Sequence, residues 1–274
     1  MRGRTAKGEA MPTHLGVDEK AIAKGHRYMT LVCDLKEATV EYIGEERKEA
    51  SLGAYFDAFP EENREAVEAI SLDMWPPFIN ACREKVPDAD EKMVFDRFHI
   101  MRHVVDAVDK VRKQEHKALI KAGDVRLTKS KYLWLTNPEN MTDQARQRFN
   151  ELKGIELKTG RAWALKEALR ALWSYTSRAW ATKFWKRWYF WATHSRLRPM
   201  IEAAKLIARH LPNVLTFFTH RITNAVAEGL NSKIATVQKR ACGYRNPDHF
   251  KIAVYFHCGG LNLYPAGVTH TKVR

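Results

Sequence analysis

The stretch Arg221–Gly243 reads RITNAVAEGLNSKIATVQKRACG, and it predicts a helix that carries a single carboxylate, Glu228. With 3.6 residues per turn, one stripe of this helix holds Arg221, Asn224, Glu228, Asn231 and Ala235, and a second, apolar stripe holds Val226, Leu230, Ile234 and Val237. We expect the apolar stripe to face a core. A solvated helix face is the ordinary explanation of a lone glutamate, unless other carboxylates converge on it.

Two other carboxylates follow predicted strands upstream. Asp18 comes after the short apolar stretch 14–17, near the end of a first strand, and Asp73 comes after a fourth strand at 69–72. If those strands are neighbours, the two acids meet at one edge, and a helix across that edge adds Glu228. Converging carboxylates need cations to neutralise them, and hard oxygen ligands suit Mg²⁺ or Mn²⁺. Two such ions support phosphodiester cleavage.

Patterning along the chain predicts an α/β fold. The predicted strands are 14–18, 27–35, 38–43, 69–72 and 92–95, and the predicted helices of the first part are 49–59, 61–67 and 76–85. Gly25 and the bend at Asp34–Glu37 separate the first three strands, which we expect to be antiparallel. Pro76 and Pro77 suit the first turn of a helix. From Phe98 to His210 the pattern is almost wholly helical.

This helical region contains seven of the eight tryptophans. We expect most of these rings to be core, with nucleobase stacking as the alternative, because packed helices need an apolar stripe. Basic side chains interleave with the rings, and they are the better candidates for binding phosphate. The predicted DNA-binding residues are Lys183, Lys186, Arg187, Arg196 and Arg198, with Arg240 and Arg245 further on.

Charge is unevenly distributed along the 274 residues, whose formal net charge is +14. Residues 1–96 carry 13 basic and 20 acidic side chains, residues 97–210 carry 25 and 10, and residues 211–274 carry 8 and 2. A polyanion bound by the middle and the end of the chain explains this distribution, and a solvated basic surface is the alternative. No apolar run is long enough to span a bilayer, and the four cysteines show neither zinc-site spacing nor a disulfide framework.

Several short motifs together resemble the catalytic domain of the ISL-three family of DDE transposases of bacterial insertion sequences. The motifs are Gly16-Val17-Asp18-Glu19 with Lys24-Gly25-His26-Arg27-Tyr28, then Asp73-Met74-Trp75, Asp96-Arg97-Phe98-His99, Asn137-Pro138-Glu139-Asn140, and Asn224 to Lys233 leading into Arg240 to Arg245. The resemblance implies a ribonuclease-H-like mixed sheet with a large α-helical insertion. It also implies that Asp18, Asp73 and Glu228 are the catalytic and metal-binding triad, with two Mg²⁺ or Mn²⁺ ions.

The resemblance leaves other motif residues without an assigned role. Asp96 and His99 would support a ligand or contact DNA, although helix capping and packing are slightly favoured for Asp96. Asn224, Asn231 and Lys233 would orient Glu228 or touch phosphate, and a structural role has about equal weight for each.

Transposition implies double-stranded DNA, both transposon ends and target, as the partner of a homodimer or larger assembly. A bacterial cytoplasmic, nucleoid-associated protein is expected. The predicted domains are a first part of the core at 1–119, the insertion at 120–210 and completing helices at 211–274. Only 17 residues precede Asp18, so we expect the zinc-binding and helix-turn-helix modules of the family to be missing. The alternatives are a catalytically idle DNA-binding remnant and a junction nuclease with the same sheet.

Overall fold

The computed structural model describes residues 10–23 and 27–261. The predicted turn at Gly25, with Lys24 and His26, lies outside these residues. The described chain separates into two compact units. One, here called the sheet unit, contains the residues up to Met93 and those from Ile222 onward, and the other, the helical unit, contains Val94–Arg221.

Five strands form one mixed sheet in the order β3-β2-β1-β4-β5. The strands are β1 His14–Ala23, β2 Arg27–Asp34, β3 Thr39–Glu45, β4 Ala69–Leu72 and β5 Met93–Phe95. The first three are antiparallel neighbours, as predicted, and β1 pairs with β4 in parallel. Asp34 stabilises the bend after β2, because its carboxylate accepts hydrogen bonds from the backbone N–H groups of Lys36 and Glu37.

Strand β1 is longer than the sequence predicts, and Asp18 lies inside it rather than at its end. The reason is that β1 has two different partners. It pairs with β2 from Leu15 to Ala23, whereas its pairing with β4 stops at Gly16. Asp18 therefore lies just past the end of the parallel pairing, although the strand continues beyond it.

Helices make up most of the remaining described chain. In chain order they are α1 Glu49–Phe56, α2 Glu61–Glu65, α3 Pro76–Lys85, α4 Ala89–Lys92, α5 Arg97–Lys121, α6 Lys131–Leu135, α7 Asp143–Lys153, α8 Lys158–Arg170, α9 Arg178–Thr193, α10 Arg198–Arg209, α11 Leu211–Leu215, α12 Phe217–His220, α13 Ala225–Arg240 and α14 Pro247–Cys258. The predicted start at Pro76 and the helical region from Phe98 to His210 are confirmed. The short helix α4 was not predicted.

Helices α13 and α14 cover one face of the sheet, where an apolar core forms. The sheet contributes Met29, Leu31, Cys33, Val40 and Ile43, and the helices contribute Ala227, Leu230, Ile234, Phe250, Val254, Tyr255 and Cys258. On the sheet's other side α1 packs against β3, where the rings of Tyr42 and Tyr55 lie 5.5 Å apart.

The core-facing stripe of α13 differs from the predicted one. Ala227 is fully buried, Val226 only packs at the edge of the core, and Val237 is half-buried. Arg221 precedes the helix with a left-handed backbone, and its guanidinium donates to the carbonyl of Tyr175. Helix α13 is thus rotated relative to the predicted orientation, because it approaches β1 closely at a point that the apolar pattern does not predict.

That close approach is made at Gly16. A Cβ atom on this residue would lie 2.7 Å from Leu35 Cδ2, 2.9 Å from Asn224 Oδ1 and 3.4 Å from Ala227 Cβ. The missing side chain lets the first turn of α13 lie directly against β1. Asn224, which was predicted on the polar stripe, is fully buried at this contact.

The helical unit is organised around the 25-residue helix α5, which packs against α8 and α10. Five of its seven tryptophans are buried, which confirms that most of the rings are core: Trp134, Trp163, Trp173, Trp185 and Trp188. Glu115 on α5 fixes the start of α8, since its carboxylate accepts from the backbone N–H of Lys158 and Thr159 at 2.8 and 2.7 Å.

No helix in the described part of the chain is both long enough and apolar enough to cross a membrane.

Replacing Gly16 with alanine should destabilise the protein by about 1 to 3 kcal/mol, because the added methyl group would overpack the contact with α13. The free energy of unfolding in urea measures the effect. Gly229→Ala is the matched control, since a Cβ there meets nothing within 4 Å. This control should stabilise the helix by about 0.5 to 1 kcal/mol. Equal effects of both substitutions would contradict the proposed close approach.

Candidate active site

Asp18 on β1 and Asp73 directly after β4 occupy matched positions relative to the parallel ladder between these strands. The last described pair of the parallel ladder is Gly16 with Ser71, and each aspartate lies two residues further along its own chain. Because side chains alternate along a strand, Asp18 shares the face of Gly16, where α13 packs. The first and fourth strands are therefore neighbours in the sheet, as predicted. Both carboxylates are half-buried.

Asp18 is held by helix α13. Its Oδ2 accepts a 2.7 Å hydrogen bond from Asn231 Nδ2, and its Oδ1 accepts from the backbone N–H of Glu19 at 2.8 Å. Lys20 Nζ donates to the backbone carbonyl of Asn231 at 3.0 Å, so both residues of β1 bind the same point on the helix. Burial lowers the pKa of the Lys20 ammonium, and the Asp18 carboxylate partly offsets this decrease.

Glu228 lies in the first turn of α13, directly after the buried Ala227. This places it on the helix that carries Asn231, the partner of Asp18. The amino end of a helix favours a negative side chain, because the unpaired backbone N–H groups there carry partial positive charge. Glu228 is half-buried, so its environment is not that of a fully solvated helix face.

Asp73 follows β4 directly and precedes the two prolines that start α3. Its Oδ1 accepts a 2.6 Å hydrogen bond from the backbone N–H of Met74. The chain then turns at Trp75, whose ring lies under the guanidinium of Arg47, with 3.8 Å between Cζ and the ring centroid. A cation over an aromatic face is attracted by the ring quadrupole.

Arg47 links the two segments that carry the aspartates. Its guanidinium donates to Glu19 Oε1 at 2.8 Å and forms an ion pair with the same carboxylate, while it stacks on Trp75. Glu19 neighbours Asp18, and Trp75 lies two residues after Asp73. Arg47 therefore connects the segment that follows Asp18 with the segment that follows Asp73.

The donor set fits a hard divalent cation by its chemistry, since all three predicted ligands are carboxylates. Within residues 10–23 and 27–261, however, no group of three or more His, Cys, Asp or Glu side chains is arranged as metal ligands. Asp18 and Asp73 instead accept hydrogen bonds from adjacent backbone amides. The assignment of Asp18, Asp73 and Glu228 as metal ligands remains a prediction.

Asp96 and His99 belong to the helical unit, where Asp96 caps α5. Asp96 Oδ2 accepts from the backbone N–H groups of Phe98 and His99 at 2.9 and 3.3 Å, and His99 Nδ1 lies 3.3 Å from the same oxygen. The aspartate is 3% exposed. The capping role that the sequence slightly favours is the role that these contacts show.

The other candidate residues fall into two groups. Asn224 and Asn231 are at the contact between α13 and β1, whereas Lys233 is exposed. All seven predicted DNA-binding side chains are exposed, namely Lys183, Lys186, Arg187, Arg196, Arg198, Arg240 and Arg245. Arg198 forms an ion pair with Glu202 at 2.9 Å.

Sequence reasoning gave no role to Lys20, Glu19, Arg47 or Trp75. A signal was present for two of them, because Glu19 and Trp75 belong to the same short motifs as the aspartates. Lys20 and Arg47 lie outside any motif, and only the folded chain places them beside Asn231 and Trp75.

The sheet order, the matched aspartates and the helical unit define a ribonuclease-H-like fold with a large helical insertion. The sequence model of the ISL-three group of DDE proteins, described as "Transposase", matches residues 15–254. The chain therefore belongs to this transposase family.

Named relatives are transposases of insertion sequences. The transposase for insertion sequence element IS1001 from Bordetella parapertussis is 28% identical over 244 residues, which are 88% of this chain and 60% of that protein. The transposase for IS1557 from Mycobacterium tuberculosis is 25% identical over 256 residues, 85% of this chain and 57% of that protein. The chain thus spans less than two thirds of the length of either relative.

The Asn231–Asp18 hydrogen bond should appear as a coupling energy. In a double-mutant cycle of Asp18→Ala and Asn231→Ala, we expect about 1 to 2 kcal/mol of coupling in the free energy of unfolding, because the bond involves a charged acceptor in a half-buried setting.

Ser232→Ala supplies the matched control on the same helix, since Ser232 is exposed and its hydroxyl donates only to the carbonyl of Glu228. Its coupling to Asp18→Ala should be near zero. A coupling at Asn231 no larger than that at Ser232 would show that the hydrogen bond does not stabilise the fold.

Proposed function

We propose that this chain is the catalytic part of an insertion-sequence transposase, which cuts DNA and joins its ends by metal-dependent phosphoryl transfer. The observation that supports the proposal is that Asp18 and Asp73 each lie two residues past the last pair of the parallel ladder between β1 and β4, and that α13, which carries Glu228, packs against β1 at Gly16. Membership of the transposase family supports the same reaction class.

Asp18, Asp73 and Glu228 would hold two Mg²⁺ or Mn²⁺ ions. When bound, such ions activate an attacking oxygen and stabilise the departing oxygen of a phosphodiester. The chain's own residues prepare the site: Asn231 orients the Asp18 carboxylate, and Arg47 constrains the segment around Asp73 through Trp75. Asn231 and Arg47 act as positioning residues.

The helical unit provides most of the basic side chains that would bind the phosphates of DNA. Residues 97–210 carry 25 basic and 10 acidic side chains, and the basic residues of α9 are exposed. Contacts to phosphate fix position without reading sequence, so this binding is nearly indifferent to the bases. Double-stranded DNA is the proposed partner, bound by a homodimer or larger assembly in a bacterial cytoplasm. We propose 120–210 as the insertion between the two parts of the core.

Removing any one carboxylate should abolish nicking of supercoiled DNA in Mg²⁺ or Mn²⁺. The isosteric changes Asp18→Asn, Asp73→Asn and Glu228→Gln keep the shape of each side chain and remove the charge that a cation requires. Because the three acids act as one unit, the double variants should be no slower than the single ones. Conversion of supercoiled to open-circular DNA on a gel measures the activity.

Glu37→Gln is the matched control, since Glu37 is an exposed acid in the bend between β2 and β3. It should nick DNA like the unchanged protein. Full activity of any of the three site variants would remove that residue from the proposed triad, and nicking without a divalent cation would refute the mechanism.

Neutralising Lys183, Lys186 and Arg187 together should flatten the dependence of DNA affinity on salt. For duplex DNA, the slope of log affinity against log salt falls by about 0.9 for each phosphate that the variant no longer neutralises. The slope should fall equally for a transposon end and a scrambled duplex. Fluorescence anisotropy across a salt series gives the slope.

The matched control neutralises Lys110, Lys117 and Lys121, three exposed lysines on α5 that carry the same total charge. The control should leave the slope nearly unchanged. Equal slopes for both triple variants would show that net charge, rather than α9, governs binding.

A further inference from the structure

Helix α9 exposes three large apolar rings on one side. Trp180, Phe190 and Trp191 are 58%, 63% and 46% exposed. At about 100° per residue, all three fall within one arc of the helix. The opposite side carries the buried residues of the helix, which are Ala181, Trp185, Trp188 and Ala192.

The buried side of α9 already provides the packing that the helix needs. Trp188 Nε1 donates to the carbonyl of Leu165 at 2.8 Å, and the rings of Trp185 and Trp188 lie 5.2 Å apart. The helix start is capped by Ser177, whose hydroxyl accepts from the backbone N–H of Trp180. None of the three exposed rings is among these buried residues, although Phe190 stacks on His194 at the end of the helix with 3.9 Å between ring centroids. Clustered exposed apolar groups are typical of a binding surface.

Basic side chains share the exposed arc with the rings. Lys183 Nζ lies 5.1 Å from the centroid of Trp180, and Lys186 and Arg187 are exposed one turn further on. The sequence of α9 contains no aspartate or glutamate. The aromatic-basic face of α9 is defined by Trp180, Lys183, Lys186, Arg187, Phe190 and Trp191.

The geometry points to this face as a binding site for an unpaired DNA strand. Bases would stack on Trp180, Phe190 and Trp191, while Lys183, Lys186 and Arg187 would contact the phosphates. This inference rests on the proposed function, in which the chain processes DNA. It adds that the chain binds unpaired DNA, because contacts to phosphate alone do not distinguish an unpaired strand from a duplex.

The chemistry separates an unpaired strand from a duplex. Duplex bases are stacked on each other, so their faces are closed to protein rings, whereas the faces of unpaired bases are free to stack. Trp180 and Trp191 are eleven residues apart, which corresponds to about 16 Å along the helix axis.

Charge argues against a second copy of the chain as the occupant. Two aromatic-basic faces meeting each other would bring like charges together, because this helix offers no carboxylate for pairing. A polyanion with exposed aromatic faces matches both components of the surface. Unpaired DNA has both properties.

The test compares binding of a labelled oligothymidylate and a labelled duplex by fluorescence anisotropy, in EDTA so that cleavage plays no part. The triple substitution Trp180→Ala, Phe190→Ala and Trp191→Ala should weaken binding of the single strand by at least about tenfold, because each stacked base contributes about fivefold or more. Duplex binding should change by less than about twofold, because the phosphate contacts remain.

Two further variants keep the test interpretable. Tyr132→Ala is the matched control, because Tyr132 is also exposed, at 73%, with Lys131 Nζ 5.4 Å from its ring centroid. It should bind the single strand normally. The conservative set Trp180→Phe, Phe190→Tyr and Trp191→Phe retains stacking and should bring the affinity for the single strand close to that of the unchanged protein.

Each outcome separates this inference from the proposed function. Asp18→Asn should bind the single strand normally even though it cannot cut, so loss of nicking with intact binding leaves the surface standing. Equal weakening of single-strand and duplex binding in the folded alanine variant would overturn the inference. Unchanged single-strand binding by the alanine variant would also overturn it. So would gel filtration in which the unchanged protein is a dimer and the alanine variant is a monomer, because the face would then be a contact between two copies of the chain.

Discussion

The contact between Gly16 on β1 and the first turn of α13 determines the rest of the candidate site. No side chain fits between the strand and the helix there, since an added Cβ would come within 2.7 Å of Leu35 and 2.9 Å of Asn224. Because the helix lies so close, Asn231, two turns after Asn224, reaches Asp18. The missing side chain at Gly16 therefore sets the distance between α13 and β1, and this distance lets Asn231 bind Asp18.

Much of the fold was predictable because its signals are local. The strand before Asp73 and the helix start at Pro76 match the prediction residue for residue, since a short apolar run and paired prolines each specify one local structure. The length of β1 and the rotation of α13 were not predictable. They depend on how far β1 pairs with β2 beyond Gly16 and on the close packing at Gly16, and neither leaves a periodic pattern in the sequence.

The candidate site divides in the same way. Asp18 and Asp73 were predicted as ligands because each follows a short apolar stretch in the sequence, and the family resemblance added Glu228 from its helix. Arg47 and Lys20 were missed because their roles arise only from tertiary contacts, with Trp75 and with the Asn231 carbonyl. Asp96 shows the opposite case. A carboxylate at the end of a predicted strand resembles a ligand, yet its oxygen is used to cap the helix that follows.

The uneven charge along the chain bears on how the proposed DNA substrate would be bound. Residues 1–96, which hold two of the three proposed ligands, carry 20 acidic and only 13 basic side chains, so this part of the chain repels a phosphate backbone. For the proposed DNA substrate, favourable electrostatic binding energy would then come from residues 97–210 and 211–274, which carry 25 and 8 basic side chains against 10 and 2 acidic ones. Divalent cations bound by the carboxylates would reduce this repulsion, because they neutralise the acids and attract the phosphate. If the acidic site acts on DNA as proposed, basic residues elsewhere in the chain must offset its repulsion of phosphate, and residues 97–274 carry that excess of positive charge.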